Sequence, residues 1–159
     1  MSRLDSFIRR VSAQRLVLDH VCDLIVPLPG PVVEFGLGNG RTFEHLRKYL
    51  PERRIIAFDR IMAAHASSAP APEDFVLGEI CETAPRFEGI EAALVHADIE
   101  TNYADIDAQT ARWLPPLAAR LLRPGGIVAS GLALIDPMLA PLSLPTGVPD
   151  QRYFLYRRA

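Results

Sequence analysis

Four carboxylates in this chain each close an apolar run. Glu34 follows Val32-Val33, Asp59 follows Ile55-Ile56-Ala57-Phe58, Glu79 follows Phe75-Val76-Leu77 with Gly78 between, and Asp98 follows Ala92-Ala93-Leu94-Val95 with His96-Ala97 between. Between the first two runs stand three glycines at alternate positions, Gly36, Gly38 and Gly40, with Asn39 among them. Glycine supplies backbone angles that a Cβ forbids and lets the main chain approach a ligand closely. The free N–H groups of a first helical turn, from about Gly40, would face that ligand. A carboxylate at the end of the neighbouring strand, Asp59, can accept from two vicinal ribose hydroxyls.

The elements that must position these groups follow from the pattern around them. Val32-Val33 is a short buried strand, and the segment after the glycines carries Phe43, Leu46 and Leu50 on one helical stripe before Pro51 stops it. A second strand then ends on Asp59. Strand, glycine turn, helix, strand and acidic residue make half of a nucleotide-binding α/β fold.

The register of the glycines decides which ligand. A dinucleotide fingerprint reads G-x-G-x-x-G, whereas here Glu34-x-Gly36-x-Gly38-x-Gly40 places Arg41 where the third glycine would fall. Glu34 would repel a pyrophosphate and suit a ligand with cationic groups, such as the ammonium and sulfonium of S-adenosylmethionine. On these residues the chain resembles the class I S-adenosylmethionine-dependent methyltransferases, whose first motif is E/D-x-G-x-G-x-G. The likeness extends to Asp74–Cys81, where DFVLGEI is similar to a third strand ending G-D/E-I, and to LLRPGGIVAS, which looks like the L-x-P-G-G entry to the fifth strand. It covers Pro31 to about Ser130 well and the ends poorly.

The resemblance implies an α/β, Rossmann-like, doubly wound and mainly parallel sheet in three αβα layers, with an antiparallel C-terminal strand. It implies S-adenosyl-L-methionine as cofactor. Glu34, Gly36, Gly38, Asn39 and Gly40 would hold its methionine part, Asp59 its ribose, and Glu79 with Ile80 its adenine, with Arg60 a further cofactor-binding residue. His65, downstream of the ribose position, reads as a surface histidine, with stacking against the adenosine as its alternative role.

The rest of the chain is read from its own patterns. Residues 2–25 form a helix, broken near Ser12, whose polar Arg10, Gln14 and Arg15 could cover the cofactor or whose face could pair with a second copy as a homo-oligomer. Residues 105–123 form a helix with Leu114, Leu117, Ala118, Leu121 and Leu122 as its apolar stripe, kinked or split by Pro115-Pro116. Residues 132–150 carry Pro137, Pro141, Pro145 and Pro149, which predicts an irregular connection near the site, and Arg152–Arg158 alternates as a closing strand. The expected organisation is a single domain over 1–159: a helical segment 1–29, a cofactor-binding core 31–131, and a proline-rich connection with the closing strand, 132–159.

Composition bounds the partners. The chain has 159 residues, a formal net charge of -2 and 23% charged residues, so bulk charge does not favour a nucleic acid. No apolar run is long enough for a bilayer. Two cysteines, Cys22 and Cys81, and an N-terminus without an apolar core segment point to the cytoplasm.

A sulfonium methyl donor is already activated, so the protein's work is alignment, exclusion of water and, where the acceptor needs it, proton removal. His96 and Asp98, on one face of the fourth strand at its carboxyl end, are the candidate catalytic residues, with Tyr103 a weaker one. The N/D-P-P-Y run of amine-directed DNA enzymes is absent, since His96-Ala97-Asp98-Ile99 stands there. No metal is expected, because Ser130-Gly131 occupy the place of the second carboxylate that metal-dependent relatives use. The reading is methyl transfer to a small molecule. Its alternatives are a non-catalytic S-adenosylmethionine-binding module and, further off, a nicotinamide-dependent oxidoreductase.

Overall fold

Alternation along buried strands decides how this chain folds. The computed structural model describes Met1–Ala159. Seven strands form one sheet: β1 (Val32–Phe35), β2 (Ile55–Asp59), β3 (Phe75–Leu77), β4 (Ala92–Ala97), β5 (Leu122–Ser130), β6 (Leu139–Leu142) and β7 (Phe154–Arg158). Their order is β3-β2-β1-β4-β5-β7-β6. The first five run parallel, and β7 inserts antiparallel between β5 and β6. The order reverses between β1 and β4, and the crevice outside the carboxyl ends of strands at such a point is where ligands bind in open α/β sheets.

Each face of the sheet is covered by helices. Val32, Ala57, Leu94, Ile127 and Leu155 pack against Val17, Leu18 and Val21 of α1 (Arg3–Leu24) and Phe43 and Leu46 of α2 (Arg41–Tyr49). Val33, Ile56, Phe58, Val95 and Val128 pack on the opposite face against Leu114, Leu117, Ala118 and Leu121 of α4 (Ala104–Leu121). A single turn, α3 (Ile80–Thr83), follows β3. Strands buried on both faces read as continuous apolar runs, as seen in the sequence.

Four expectations are corrected. First, α1 is unbroken at Ser12. A capping box starts it: Asp5 N–H donates to Ser2 Oγ at 3.1 Å, and Ser2 N–H to Asp5 Oδ2 at 2.8 Å. Only its second half reaches the sheet, leaving Leu4, Phe7 and Ile8 exposed. Second, α4 continues through Pro115-Pro116, with Pro115 and Leu114 buried against the sheet, so tertiary packing overrides the two donors that proline lacks. Third, β5 begins at Leu122 and takes the Arg123-Pro124-Gly125-Gly126 turn into the strand as an irregularity in its pairing with β4. Gly126 is required there, because a Cβ would lie 2.9 Å from the Ala92 carbonyl oxygen. Fourth, residues 132–150 hold no helix, as their prolines imply, but they contribute the edge strand β6, which includes Pro141. None of them lines the crevice described below.

Arg53 ties the end of α1 to the sheet. Its Nη1 donates to the carbonyls of Leu28 and Gly30, both at 2.8 Å, and its Nη2 to Ile25 at 3.1 Å. A cation thus gathers the carbonyls of the helix C-cap and of the connection that leads from it to β1. Arg53→Met is expected to lower stability by about 2 kcal/mol, from the loss of charge-assisted hydrogen bonds at a half-buried site. Urea denaturation midpoints measure it.

Candidate functional site

The site is built where β1, β2 and β4 end. Beyond Phe35, the chain turns through Gly36, Gly38 and Gly40 with φ of 82°, 53° and 86°. A Cβ on Gly36 would sit 2.7 Å from Ile99 Cγ2, and one on Gly40 would sit 2.6 Å from the Ser68 carbonyl oxygen. At Gly38 nothing lies within 4 Å, so this residue faces open space. Gly40 is buried under the 66–68 turn and caps α2 by its backbone.

Asp59 is fixed by the loop and by its neighbour. Gly38 N–H donates to Oδ2 at 2.8 Å and Arg60 N–H to Oδ1 at 2.7 Å. Each oxygen keeps a lone pair for a further donor. Asp59, Arg60, Glu79 and Ile80 line one wall of a crevice of about 450 Å³ with Gly36 and Gly38. Arg60 and Glu79 approach only to 3.9 Å, both exposed, which is a weak contact. The opposite wall is Asp98, Ile99 and Glu100 after β4, with Ile106, Gln109, Thr110 and Trp113 of α4. A second arm of about 240 Å³ shares Gly36, Gly38 and Asp98 with the first and adds Asn39, Arg41 and Thr42 below and Arg10 and Gln14 of α1 above. Asn39 braces the loop, its Oδ1 accepting from Arg41 N–H at 3.3 Å. His65 is exposed and caps a short turn, away from the crevice.

Glu34 and His96 are placed differently from the sequence expectation. The pleat turns both toward the α1–α2 face, in direct register on β1 and β4. Glu34 is 0% exposed and His96 1% exposed, and neither lines the crevice. Glu34 lies beneath the loop, accepting from Thr42 Oγ1 and, at 2.7 Å, pairing with His96 Nδ1. The other ring nitrogen, Nε2, meets the Tyr153 hydroxyl at 2.8 Å. His96 therefore cannot reach an acceptor in the crevice. Asp98, two residues on, clears the sheet edge and does line it, taking a hydrogen bond from Gln14 Nε2. Tyr103 is exposed at the start of α4 and lines neither arm.

Charge in this region is concentrated on a few groups. Burial alone would lower the His96 value, but Glu34, by charge and by hydrogen bond, and Asp98 beyond it more than offset this and hold it above the ordinary 6.5. Burial, then the charge of Asp98, pushes the Tyr153 hydroxyl well above its usual range. Burial and then Asp98 also raise Glu100, against the pull of Arg152. Thr42 and Tyr153 were not selected from sequence as site residues, and Gln14 was expected only as a cover over the cofactor. The wall from α4 had a legible signal: Ile106, Thr110 and Trp113 recur at i, i+4 and i+7, a second stripe beside the core one.

The Glu34–His96 pair makes a pH prediction. The folded chain keeps the His96 proton over a range in which the unfolded chain has released it. The pair's contribution is complete below 6.5 and is lost as pH rises through the folded value. Unfolding free energies measured across this range are expected to fall with rising pH, and His96→Gln to flatten that segment. His96→Leu, which leaves the Glu34 charge buried alone, is expected to cost about 3–5 kcal/mol.

Comparison with known proteins matches this geometry. Residues 1–158 match the model of a family described as S-adenosyl-L-methionine methyltransferase. Among curated proteins no relative matches the chain. A solved structure of an S-adenosyl-L-methionine methyl transferase from Silicibacter pomeroyi DSS-3 is 42% identical, superposes with a TM-score of 0.91, and covers 99% of each chain. Two more distant structures share the fold. A TDP-rhamnose 3'-O-methyltransferase of calicheamicin biosynthesis is 23% identical with a TM-score of 0.58, over 98% of this chain and 83% of that one. A 16S rRNA (adenine(1408)-N(1))-methyltransferase from Catenulisporales acidiphilia is 12% identical with a TM-score of 0.52, over 89% and 91%. The glycine turn, the ordered Asp59 and the strand order thus coincide with a match along nearly the whole chain: the protein belongs to the S-adenosyl-L-methionine methyltransferase family.

Proposed function

We propose that this chain, as one domain, methylates a small polar molecule held between Asp98 and Glu100 at the mouth of the crevice, with the cofactor laid across the glycine turn. The observation that carries the cofactor half is the geometry of Asp59. Two backbone N–H groups fix both its oxygens and leave a lone pair on each, which suits two adjacent ribose hydroxyls. Gly38 supports the same reading, since a Cβ there would enter the crevice and not the protein. Gly36 and Asn39 would stand beside the methionine part, and Glu79 and Ile80, on the same wall as Asp59, at the adenine with Arg60 flanking. Gly40 serves by shaping the turn, and Glu34 by anchoring it from below.

S-adenosylmethionine supplies a methyl group already activated on sulfur. The residues around it have three tasks: to orient, to keep water out and to take up a proton. Ile99, Ile106 and Trp113 supply apolar wall. Asp98 and Glu100 supply carboxylates, and Glu100, held above the usual carboxylate range by burial and by Asp98, is the candidate proton acceptor. Two adjacent carboxylates also disfavour a polyphosphate chain, which supports a small acceptor over a nucleic acid. No helix is long and apolar enough to cross a membrane. Cys22 and Cys81 are both free, which supports a reducing compartment such as the cytoplasm.

Calorimetric titration with S-adenosylhomocysteine, and with NADH as control, tests the site. The first should bind and the second should not. Asp59→Ala is expected to weaken S-adenosylhomocysteine by about 1.5–3 kcal/mol, the range for hydrogen bonds to a charged group. Gly38→Ala should weaken it while the melting temperature falls only slightly. Unchanged affinity in Asp59→Ala, or NADH binding in place of S-adenosylhomocysteine, would overturn the assignment.

A further inference from the structure

A buried chain of polar side chains runs beneath the crevice and joins most of the elements that shape it. It starts at Thr42 in the first turn of α2, passes to Glu34 on β1 and then to His96 on β4, and reaches Tyr153 at the entry to β7. The Gln14 amide of α1 lies beside the Tyr153 hydroxyl and donates to Asp98. Glu34, His96 and Tyr153 are at most 3% exposed, in a layer otherwise made of Val17, Leu18, Leu94, Ala129 and Leu155. Polar groups in such a layer cost stability unless they are satisfied, and a fully satisfied network fixes one arrangement of its members. Both ends of this chain surface in the second arm of the crevice, at Thr42 and at Gln14–Asp98.

We propose that His96 and Tyr153 are positioning residues, which transmit the placement of the glycine turn to Gln14 and Asp98 and so hold α1 over the second arm in the cofactor-binding arrangement. With its ring protonated, His96 donates at both nitrogens, to Glu34 and to Tyr153. The Tyr153 hydroxyl accepts there, and its own proton is left for the Gln14–Asp98 end. Loss of the His96 proton removes one of these donors, and the direction of the chain is no longer set. The charged and titratable groups that face the ring are Glu34 from β1 and Asp98 from the β4–α4 connection, and the groups around Tyr153 add Glu100. Thr42 and Gln14, on the two helices, carry no charge. His96 is thereby reassigned from a candidate base to a group that acts through its neighbours.

The test is S-adenosylhomocysteine affinity by calorimetry across pH, in the unmodified chain, Tyr153→Phe, His96→Gln and Gln14→Ala. Tyr153→Phe removes only the hydroxyl. Gln14→Ala cuts the outer link at a half-buried position, so it remains informative if a core variant does not fold. Each is expected to weaken binding about tenfold, the change produced by one hydrogen bond to a charged group. The Gln14→Ala/Tyr153→Phe pair should cost no more than either alone, since both break one chain. Affinity of the unmodified chain should fall as pH rises through the raised folded value of His96, and that fall should vanish in His96→Gln. Variants that melt earlier but bind as tightly as the unmodified chain, or an affinity independent of pH, overturn the inference. It rests on the cofactor reading above, and absence of S-adenosylhomocysteine binding by the unmodified chain would overturn that reading and this inference with it.

Discussion

The structure depends on one buried ion pair. Glu34 is a carboxylate with no exposed surface, set in a parallel strand between two others. An unpaired charge there would cost several kcal/mol, more than most single contacts contribute. The chain meets this by placing His96 in exact register one strand away, so that each carboxylate oxygen has its own donor. The strand register, the start of α2 and the entry to β7 all answer to that requirement. A hydrophobic pair at the same place would pack as well but would leave Thr42 and Tyr153 without partners, and nothing polar would join the floor of the crevice to its roof.

The second constraint is the turn above the pair. Three positive φ values in five residues bend the chain back sharply enough for the Gly38 amide to reach a carboxylate on the neighbouring strand. Asp59 is therefore ordered before any ligand arrives, and little side-chain freedom is lost on binding. The glycines do this for unlike reasons. Gly36 and Gly40 have no room for a Cβ against the protein itself, while Gly38 is small for the sake of what lies outside it.

Much of this was legible in the sequence, because the relevant signals are local. Alternate glycines between two apolar runs, an acidic residue at the end of the second, and a proline-glycine entry to a later strand fix the fold and the side of the sheet on which the site lies. What the sequence could not show are contacts across the sheet. Nothing near Tyr153 says that its hydroxyl will meet a histidine 57 residues away. Glu34 looked like a ligand for the cofactor because it sits two residues from a binding glycine, yet the pleat sends its side chain beneath the turn. His96 and Asp98 share a face, as alternation requires, but the strand ends between them, so one is sealed in and the other emerges. The two prolines of α4 misled for a related reason: local propensity argued for a break, and burial against the sheet kept the helix whole.

The two margins of the sheet carry a consequence for how this protein meets its own copies. β3 offers only three residues of backbone to a newcomer. β6 offers four, and one of them is Pro141, whose nitrogen has no hydrogen to give. A passing strand would find too few donors and acceptors at either border to lengthen the ladder. The short borders thus leave a wide sheet of apolar strands with little edge for the sheet of another copy to join.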